Sequence, residues 1–329
     1  MDTGLANPVI YGRYLKPQNE WGWQVAIYLY LAGIGSGSFA IGILMEWLGY
    51  SQYSLRPMIL WGPILVAIGA LFLVLKLGVK RRFLNTILNP RSSWLSRGFY
   101  ILSMCIIVGV VILGISILPR LGISVSNWSS PLLVLDIIGF ILALATAIYT
   151  GILIQSVKYV ALWNTSLLPA LFTVSALSTG TMAVILSTLG YSILTPAEGY
   201  PYQLMNALTI TEQILIIIEA FVFALYLFSR YKAEEYGKDS VRLLLSGNLK
   251  FVFWIGIIVL GFFFPVILEG IYSRFHEQHF LLFLAGSSLL IGGFFLRYGI
   301  VYAGIKEQHP LQRLMEYQYN LRALKETRE

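Results

Sequence analysis

The chain has 329 residues, of which 57% are hydrophobic and 12% are charged, with a mean hydropathy of +0.74. Soluble domains usually carry about 25% charged residues, so the composition excludes a soluble globular protein and indicates a helical integral membrane protein. The net charge of +7 is modest, and we expect no binding to nucleic acid. The single cysteine, Cys105, lies in an apolar run, which excludes a disulfide framework and a cysteine-ligated metal site.

Apolar runs of roughly twenty residues dominate the sequence, and each is long enough to cross a hydrocarbon core of about 30 Å. They predict an all-α polytopic membrane protein with eight transmembrane helices in two four-helix bundles. A single domain is expected over residues 1–305, with possible halves 20–160 and 161–305, followed by a polar amphipathic tail over 306–329. The polar N-terminus predicts no cleavable signal peptide. The predicted spans are approximately 24–47, 58–79, 98–118, 132–155, 166–190, 208–229, 251–270 and 280–303.

The first and fifth spans share a pattern of small residues. AGIGSGSFAIGIL in the first resembles SALSTGTMAVILS in the fifth, which aligns Gly37 with Gly180 and Ala40 with Ala183. The similarity fits an internal repeat that relates two four-helix halves. It also fits recurring small residues that let helices approach closely.

The basic residues predict the orientation of the chain in the cell membrane. An even number of spans puts both termini on one side, and 19 of the 23 lysines and arginines then lie on that side, against three on the other. The positive-inside rule places both termini in the cytoplasm. Docking of an acidic partner subunit would be a different reason for the same asymmetry.

Polar residues near one end of two spans suggest a ligand site. Gln24 and Tyr28 are four residues apart and share a helix face, and Tyr149 lies near the end of the fourth span on the same side of the membrane. We expect the three to meet at one depth. Amide and phenol groups lining an apolar cleft suit a lipophilic ligand with carbonyl or hydroxyl oxygens, such as a quinone. Interfacial anchoring by tyrosine is the alternative.

Acidic residues within the spans are candidates for proton transfer, since ionisable groups in hydrocarbon are costly and commonly functional. The candidates are Asp136, Glu212 and Glu219, the last two being seven residues apart on one face of the sixth span. Pairing with an arginine or capping by hydroxyls is the structural alternative. Glu46 and Glu269 lie at the ends of spans and are expected to be interfacial.

Arg297 lies about two thirds along the last span. A structural ion pair is the favoured interpretation, and contact with a quinone oxygen or with lipid headgroups is the alternative. The histidines argue against haem, because His276 and His279 fall in the loop before the last span and His309 falls in the tail. We expect neither a haem nor a metal of the protein's own.

Several motifs resemble the NrfD/polysulphide-reductase membrane-subunit family. They are YLYLAGIGSG in the first span, NPRSSWLSRG before the third, AIYTGILI in the fourth, SLLPALFTVSALSTG in the fifth and GGFFLRYGIVYAG in the eighth. The resemblance implies a cofactor-free subunit that binds quinone, of the menaquinone type, as its substrate. It also implies two partners, an iron–sulfur subunit with four ferredoxin-like clusters and a molybdopterin catalytic subunit. Sulfur, polysulphide or a related acceptor would receive the electrons.

The resemblance also implies a quinone site built from the first and fourth helices. The tyrosine of the polysulphide-reductase branch matches Tyr149, its histidine matches Tyr28, and its asparagine falls at Val25 beside Gln24. With Arg297, these give the candidate quinone-binding set Gln24, Tyr28, Tyr149 and Arg297. In that branch the quinone end faces the outside of the cell, whereas the charge rule places the same end in the cytoplasm.

Two other functions remain open from the sequence. The possible repeat, the buried acids and the spans rich in glycine and serine are also found in secondary transporters and proton-conducting membrane proteins without a redox role. A pure membrane anchor with a degenerate quinone pocket is the third interpretation.

Overall fold

A computed structural model describes residues 9–10, 13–14, 18, 20–50, 61–76, 93–118, 129–194, 200–233, 235–274 and 279–306. Almost all of them are helical, which confirms an all-α membrane protein. The tail predicted over 306–329 lies outside the described residues, apart from Lys306 at its start. Two short strands, β1 (Val9–Ile10) and β2 (Arg13–Tyr14), pair antiparallel before the first helix.

Ten helices follow in the described residues. They are α1 (Trp23–Trp47), α2 (Trp61–Lys76), α3 (Trp94–Ile117), α4 (Ser129–Gln155), α5 (Leu167–Leu194), α6 (Tyr202–Lys232), α7 (Glu235–Leu245), α8 (Val252–Phe263), α9 (Phe264–Tyr272) and α10 (His279–Tyr302).

Seven of the eight predicted spans are confirmed as helices long and apolar enough to cross a membrane, with α8 and α9 forming one continuous span. The protein is therefore integral to a membrane. The predicted second span, 58–79, is represented by α2, which has 16 residues in the described part and is shorter than the others. A count of eight spans accordingly stays a prediction.

The span made of α8 and α9 departs from regular α-helix. The twelve residues of α8 are π-helical, and the α-helical geometry resumes at α9, which has Pro265 in its first turn. Long π-helices are rare, and short π segments occur most often near functional sites. The wider helix lets Gly261 approach the backbone of Gly292 on α10, and the Ser288 hydroxyl of α10 donates to the Leu260 carbonyl at 2.7 Å.

The centre of the bundle is the crossing of α1 and α5. A Cβ atom built on Gly37 would overlap the backbone of Ala176, and one built on Gly180 would overlap the backbone of Gly37. The two glycines that the sequence comparison aligned therefore touch each other across this crossing. Their contact shows the close helix approach that small residues permit, and the internal repeat itself stays a prediction.

The short helix α7 was not expected between the sixth and seventh spans. It is amphipathic, with Val241, Leu243 and Leu244 buried against its neighbours. Nearby, Arg230 at the end of α6 donates to the Ala161 and Asn164 carbonyls in the loop between α4 and α5. This end of α6 therefore lies at the same membrane side as the end of α4 that carries Tyr149.

Candidate functional site

A cleft of about 540 Å³ opens between the N-terminal end of α1, the C-terminal ends of α2 and α4, and the start of α3. Its volume falls within the range of small-molecule sites, about 300–1,000 Å³. Apolar side chains form its walls and polar groups lie at its mouth. The lining residues are Glu20, Trp21, Val25, Leu73, Lys76, Ser93, Trp94, Leu95, Leu153 and Ser156.

Tyr28 and Tyr149 lie one helical turn deeper than the walls of this cleft. Tyr28 follows Val25 by three residues on α1, and Tyr149 precedes Leu153 by four on α4, so each shares a helix face with a lining residue. Both side chains are buried, at 0% and 2% exposure, and they belong to the same cluster of buried side chains. Neither phenol hydroxyl has a hydrogen-bond partner among the described residues.

Unpaired hydroxyls at this depth are unusual, because a buried polar group without a partner costs about 1–3 kcal/mol. Two such groups close together at the inner end of an open cleft indicate that their partner is a molecule that enters through it. Phenol hydroxyls can donate to carbonyl oxygens and accept from hydroxyls. The arrangement suits a small apolar ring that bears oxygen atoms.

Gly98 of α3 completes the inner end of the site. A Cβ atom built on this residue would overlap the Cζ and hydroxyl of Tyr149, so the lack of a side chain here leaves the space for the phenol. Gly98 stands four residues after the cleft residue Trp94, which repeats the one-turn relation seen on α1 and α4. Sequence reasoning missed this residue, although a lone glycine inside the quoted NPRSSWLSRG motif was a usable signal.

Gln24 lies at the rim rather than beside the phenols. It is half-buried, and its side-chain oxygen and the Lys76 Nζ both lie within 4 Å of the same point beside Gly22. An amide and an ammonium group therefore meet near the mouth. The three residues therefore do not lie at one depth. Gln24 is outermost, and Tyr28 and Tyr149 lie together deeper in the protein.

A polar network fixes the outer wall of the cleft. The Lys306 ammonium lies 2.6 Å from a Glu20 carboxylate oxygen, and the Tyr159 hydroxyl donates to the other oxygen. These hydrogen bonds lower the pKa of Glu20. Partial burial of the Tyr159 phenol and its hydrogen bond to the Glu20 carboxylate raise the pKa of Tyr159 to about 12. Gln18 is buried and donates to the Val301 carbonyl at 2.9 Å. The segment before α1 is thereby held against the end of α10.

Arg297 is separate from the two phenols. It is 1% exposed, so it does not reach lipid headgroups, and it donates to the Ser175 hydroxyl at 2.9 Å and the Gly293 carbonyl at 3.0 Å. Glu219 is the acidic residue near its guanidinium, and the ion pair that the sequence favoured stays a prediction. It also lies against Gly33, about 7 Å along α1 from Tyr28.

The three proton-transfer candidates are all buried. Glu212 and Glu219 lie two turns apart on α6, about 10 Å along the helix, and the Ser178 hydroxyl of α5 lies near both. Asp136 is buried on α4, which packs against α1, α3 and α5. The expectation that Glu269 is interfacial is wrong, because α9 continues past it to Tyr272 and its side chain is 0% exposed.

Of the three histidines, His279 lies within the described residues, and His276 and His309 lie outside them. His279 begins α10 beside the Tyr200 ring, with 4.2 Å between ring centroids. Within the described ranges, no three histidine, cysteine, aspartate or glutamate side chains form a group that could hold a metal ion.

Known proteins resemble this one along most of its length. The C chain of polysulfide reductase from Wolinella succinogenes is 28% identical over 312 residues, covering 86% of this chain and 94% of that protein. Protein NrfD of Escherichia coli is 27% identical, with coverage of 86% and 94%. The C subunit of selenate reductase from Mesobacillus selenatarsenatis is 25% identical, with coverage of 93% and 81%. Residues 14–307 match the family model of polysulphide reductase, NrfD, and the protein therefore belongs to the NrfD polysulphide reductase family.

Proposed function

We propose that this protein is the quinone-reactive membrane anchor of a multi-subunit respiratory oxidoreductase. It exchanges electrons between membrane quinone, of the menaquinone type, and an iron–sulfur partner that serves a molybdopterin catalytic subunit. Membership of the NrfD family supports the role of a membrane subunit, as do relatives named as the C chain of a polysulfide reductase and the C subunit of a selenate reductase. Sulfur, polysulphide or a related compound is the proposed terminal acceptor.

The observation that carries the quinone proposal is the pair of unpaired phenol hydroxyls, Tyr28 and Tyr149, beyond the inner end of the cleft. A quinone head that moves one turn past Val25 and Leu153 offers each hydroxyl the oxygen partner it lacks. The apolar walls and Trp94 suit the ring and its tail, and the burial of the phenols keeps water from the oxygens.

Proton and electron balance defines what this site must do. Oxidation of one quinol releases two electrons and two protons, and reduction of one quinone takes them up. The iron–sulfur partner accepts or supplies the electrons. Tyr28 and Tyr149 hold the ring oxygen that faces them in position, and the protons leave or enter through groups connected to the site. Gln24 and Lys76 at the mouth are placed to meet the quinone as it enters.

The test replaces Tyr149 by Phe in the complete complex and measures turnover with a short-chain menaquinol analogue. Removal of one neutral hydrogen bond of about 0.5–1.5 kcal/mol is expected to weaken quinol binding about twofold to tenfold. Tyr231→Phe is the matched control, because Tyr231 is an exposed residue near the C-terminal end of α6 and does not line the cleft. Unchanged affinity and turnover in Tyr149→Phe would support an anchor with a degenerate pocket. An isolated protein that transports a solute in liposomes would contradict the redox role.

A further inference from the structure

A row of buried polar side chains runs from the membrane side opposite the cleft to the centre of the bundle. Glu269 of α9 and Glu212 of α6 form its outer part, and Glu219 lies about 10 Å further along α6. Their exposures are 0%, 0% and 5%. A carboxyl group in the interior of a membrane protein must form an ion pair, accept hydrogen bonds or be protonated and neutral.

The outer pair, Glu212 and Glu269, lacks hydrogen-bond donors. One Glu212 oxygen accepts from the Ser178 hydroxyl at 3.3 Å, but its other oxygen and both Glu269 oxygens have no donor among the described residues. The helices α6 and α9 contact each other, and the two carboxyl groups are neighbours at this contact. In the described part of the protein, neither forms an ion pair with a lysine or arginine. Two buried carboxylates that face each other cannot both be ionised, whereas a single proton between them supplies the missing donor.

The inner carboxylate has a different environment. Glu219 lies near the Arg297 guanidinium and the Ser175 and Ser178 hydroxyls, so hydrogen-bond donors surround it that the outer pair lacks. The Arg297 Nη1 atom donates a hydrogen bond to the Ser175 hydroxyl, while Nε and Nη2 have no hydrogen-bond partner among the described residues. Ser178 lies close to both glutamates of α6 and connects the two parts of the row.

A small cavity lies beside Glu219, and this observation is independent of the carboxyl pair. Its volume is about 10 Å³, the size of one water, and it is lined by Glu219, Thr179 and the glycines of the α8–α10 contact. A water there can bond the carboxylate, and Gly293, which also lines the cavity, lies beside the Arg297 Nη1 atom. The π-helical geometry of α8 forms this wall, through Ile257, Gly261 and Phe262.

The row also reaches the protein surface on the membrane side opposite the cleft. Tyr272 lies one turn after Glu269 on α9, and its hydroxyl is 3.0 Å from the Tyr200 hydroxyl. Tyr200 in turn stacks near the His279 ring at the start of α10. Burial raises the pKa of Tyr200, so at neutral pH it is a protonated hydroxyl that can donate and accept. Polar groups that exchange protons therefore extend from this surface to Glu269.

We propose that Glu212 and Glu269 share one proton and form the exchange site of a proton path that leads from the water cavity beside Glu219, through Ser178, to the Tyr200–Tyr272 surface. A proton released by quinol oxidation that reaches Glu219 passes to Glu212, the shared proton moves to Glu269, and the excess proton leaves toward Tyr272, so the pair again holds one proton after each transfer. The origin of the proton at the quinone head rests on the proposed function; Arg297 lies against Gly33, about 7 Å along the axis of α1 from Tyr28. The shared proton itself does not depend on that function.

The first test is infrared spectroscopy of the purified full-length protein at neutral pH. A carboxylic acid C=O band that shifts in D₂O is expected from the wild type. It should disappear or move in both Glu212→Gln and Glu269→Gln, and remain in the matched control Glu235→Gln on the surface helix α7. Absence of any protonated carboxyl band in the wild type would overturn the proposal without requiring a variant to fold. A band unchanged in both buried variants would also overturn it.

The second test measures proton movement in the complete complex reconstituted in liposomes with a pH-sensitive dye inside. Proton release coupled to quinol turnover should slow by about tenfold or more in the two buried variants, while quinol affinity stays at the wild-type value. Equal proton release in all variants would refute the path. Turnover that requires Na⁺ would refute it in favour of a cation site. Failure of the wild type to bind quinol would instead count against the proposed function and leave the infrared result standing.

Discussion

Substitution of Gly98 by Ala tests whether the space around Tyr149 is essential. The added methyl group would overlap the phenol carbons and hydroxyl, which are well inside van der Waals contact. Carbon atoms pack at about 3.5–4.0 Å, so the phenol must retreat by about 2 Å. The favourable helix propensity of alanine, about 1 kcal/mol, partly offsets an overpacking cost of about 1–3 kcal/mol. Net destabilisation should therefore not exceed about 2 kcal/mol, and the protein should fold.

The effect on activity should be larger than the effect on stability. A misplacement of about 1 Å at a site that orients its substrate can cost up to about a hundredfold in rate, so quinol-linked turnover of Gly98→Ala is expected to fall between tenfold and a hundredfold. Gly114→Ala is the matched control, because it makes the same change in the same helix at a position with no atom within 4 Å. Turnover and thermal stability should be measured on both complexes. Equal turnover in the two variants would refute the role assigned to Gly98.

Two further predictions concern stability. Gly37→Ala should lower the free energy of unfolding by about 3 kcal/mol relative to Gly190→Ala, because its new methyl group meets helix backbone that cannot rotate away, and thermal unfolding in detergent measures the difference. A difference under about 1 kcal/mol would show that α1 and α5 can separate. Lys306→Ala should cost less than about 1 kcal/mol, because its ion pair with Glu20 is exposed and screened by salt. Since that pair lowers the pKa of Glu20, its contribution is complete above the unfolded pKa and is lost as the pH falls through the folded value; a loss on raising the pH from 5 to 8 would contradict this.

The sequence predicted the spans and the meeting of Tyr28 with Tyr149 for simple reasons. Apolar runs of about twenty residues have few alternatives to membrane helices. The two tyrosines enter from one side at similar distances from the ends of their helices, so their depth follows from the rise per residue. Which helices are neighbours was not contained in those patterns. The contact of Gly98 with Tyr149 depends on α3 packing against α4, and it could not be derived from periodicity.

The burial of Glu269 was missed because its position was judged from the end of an apolar run. The π-helical geometry of α8 changes the turn on which each later residue falls, and nothing in the apolar sequence VFWIGIIVLGFF signals it. The helix α7 was missed for another reason. Its buried apolar residues Val241, Leu243 and Leu244 all fall in the last five of its eleven positions, so the apolar pattern does not repeat along the segment and the charged first half resembles a loop.

The glycine contact between α1 and α5 has a mechanical consequence. At Gly37 and Gly180 the two backbones touch without side chains between them, so no rotamer change can absorb a displacement there. One helix carries Tyr28 and the other carries Ser175 and Ser178. The cleft and the carboxyl row are therefore joined by a rigid contact between α1 and α5. Any shift of α1 that accompanies occupancy of the cleft moves the α5 hydroxyls that lie between Glu212, Glu219 and Arg297.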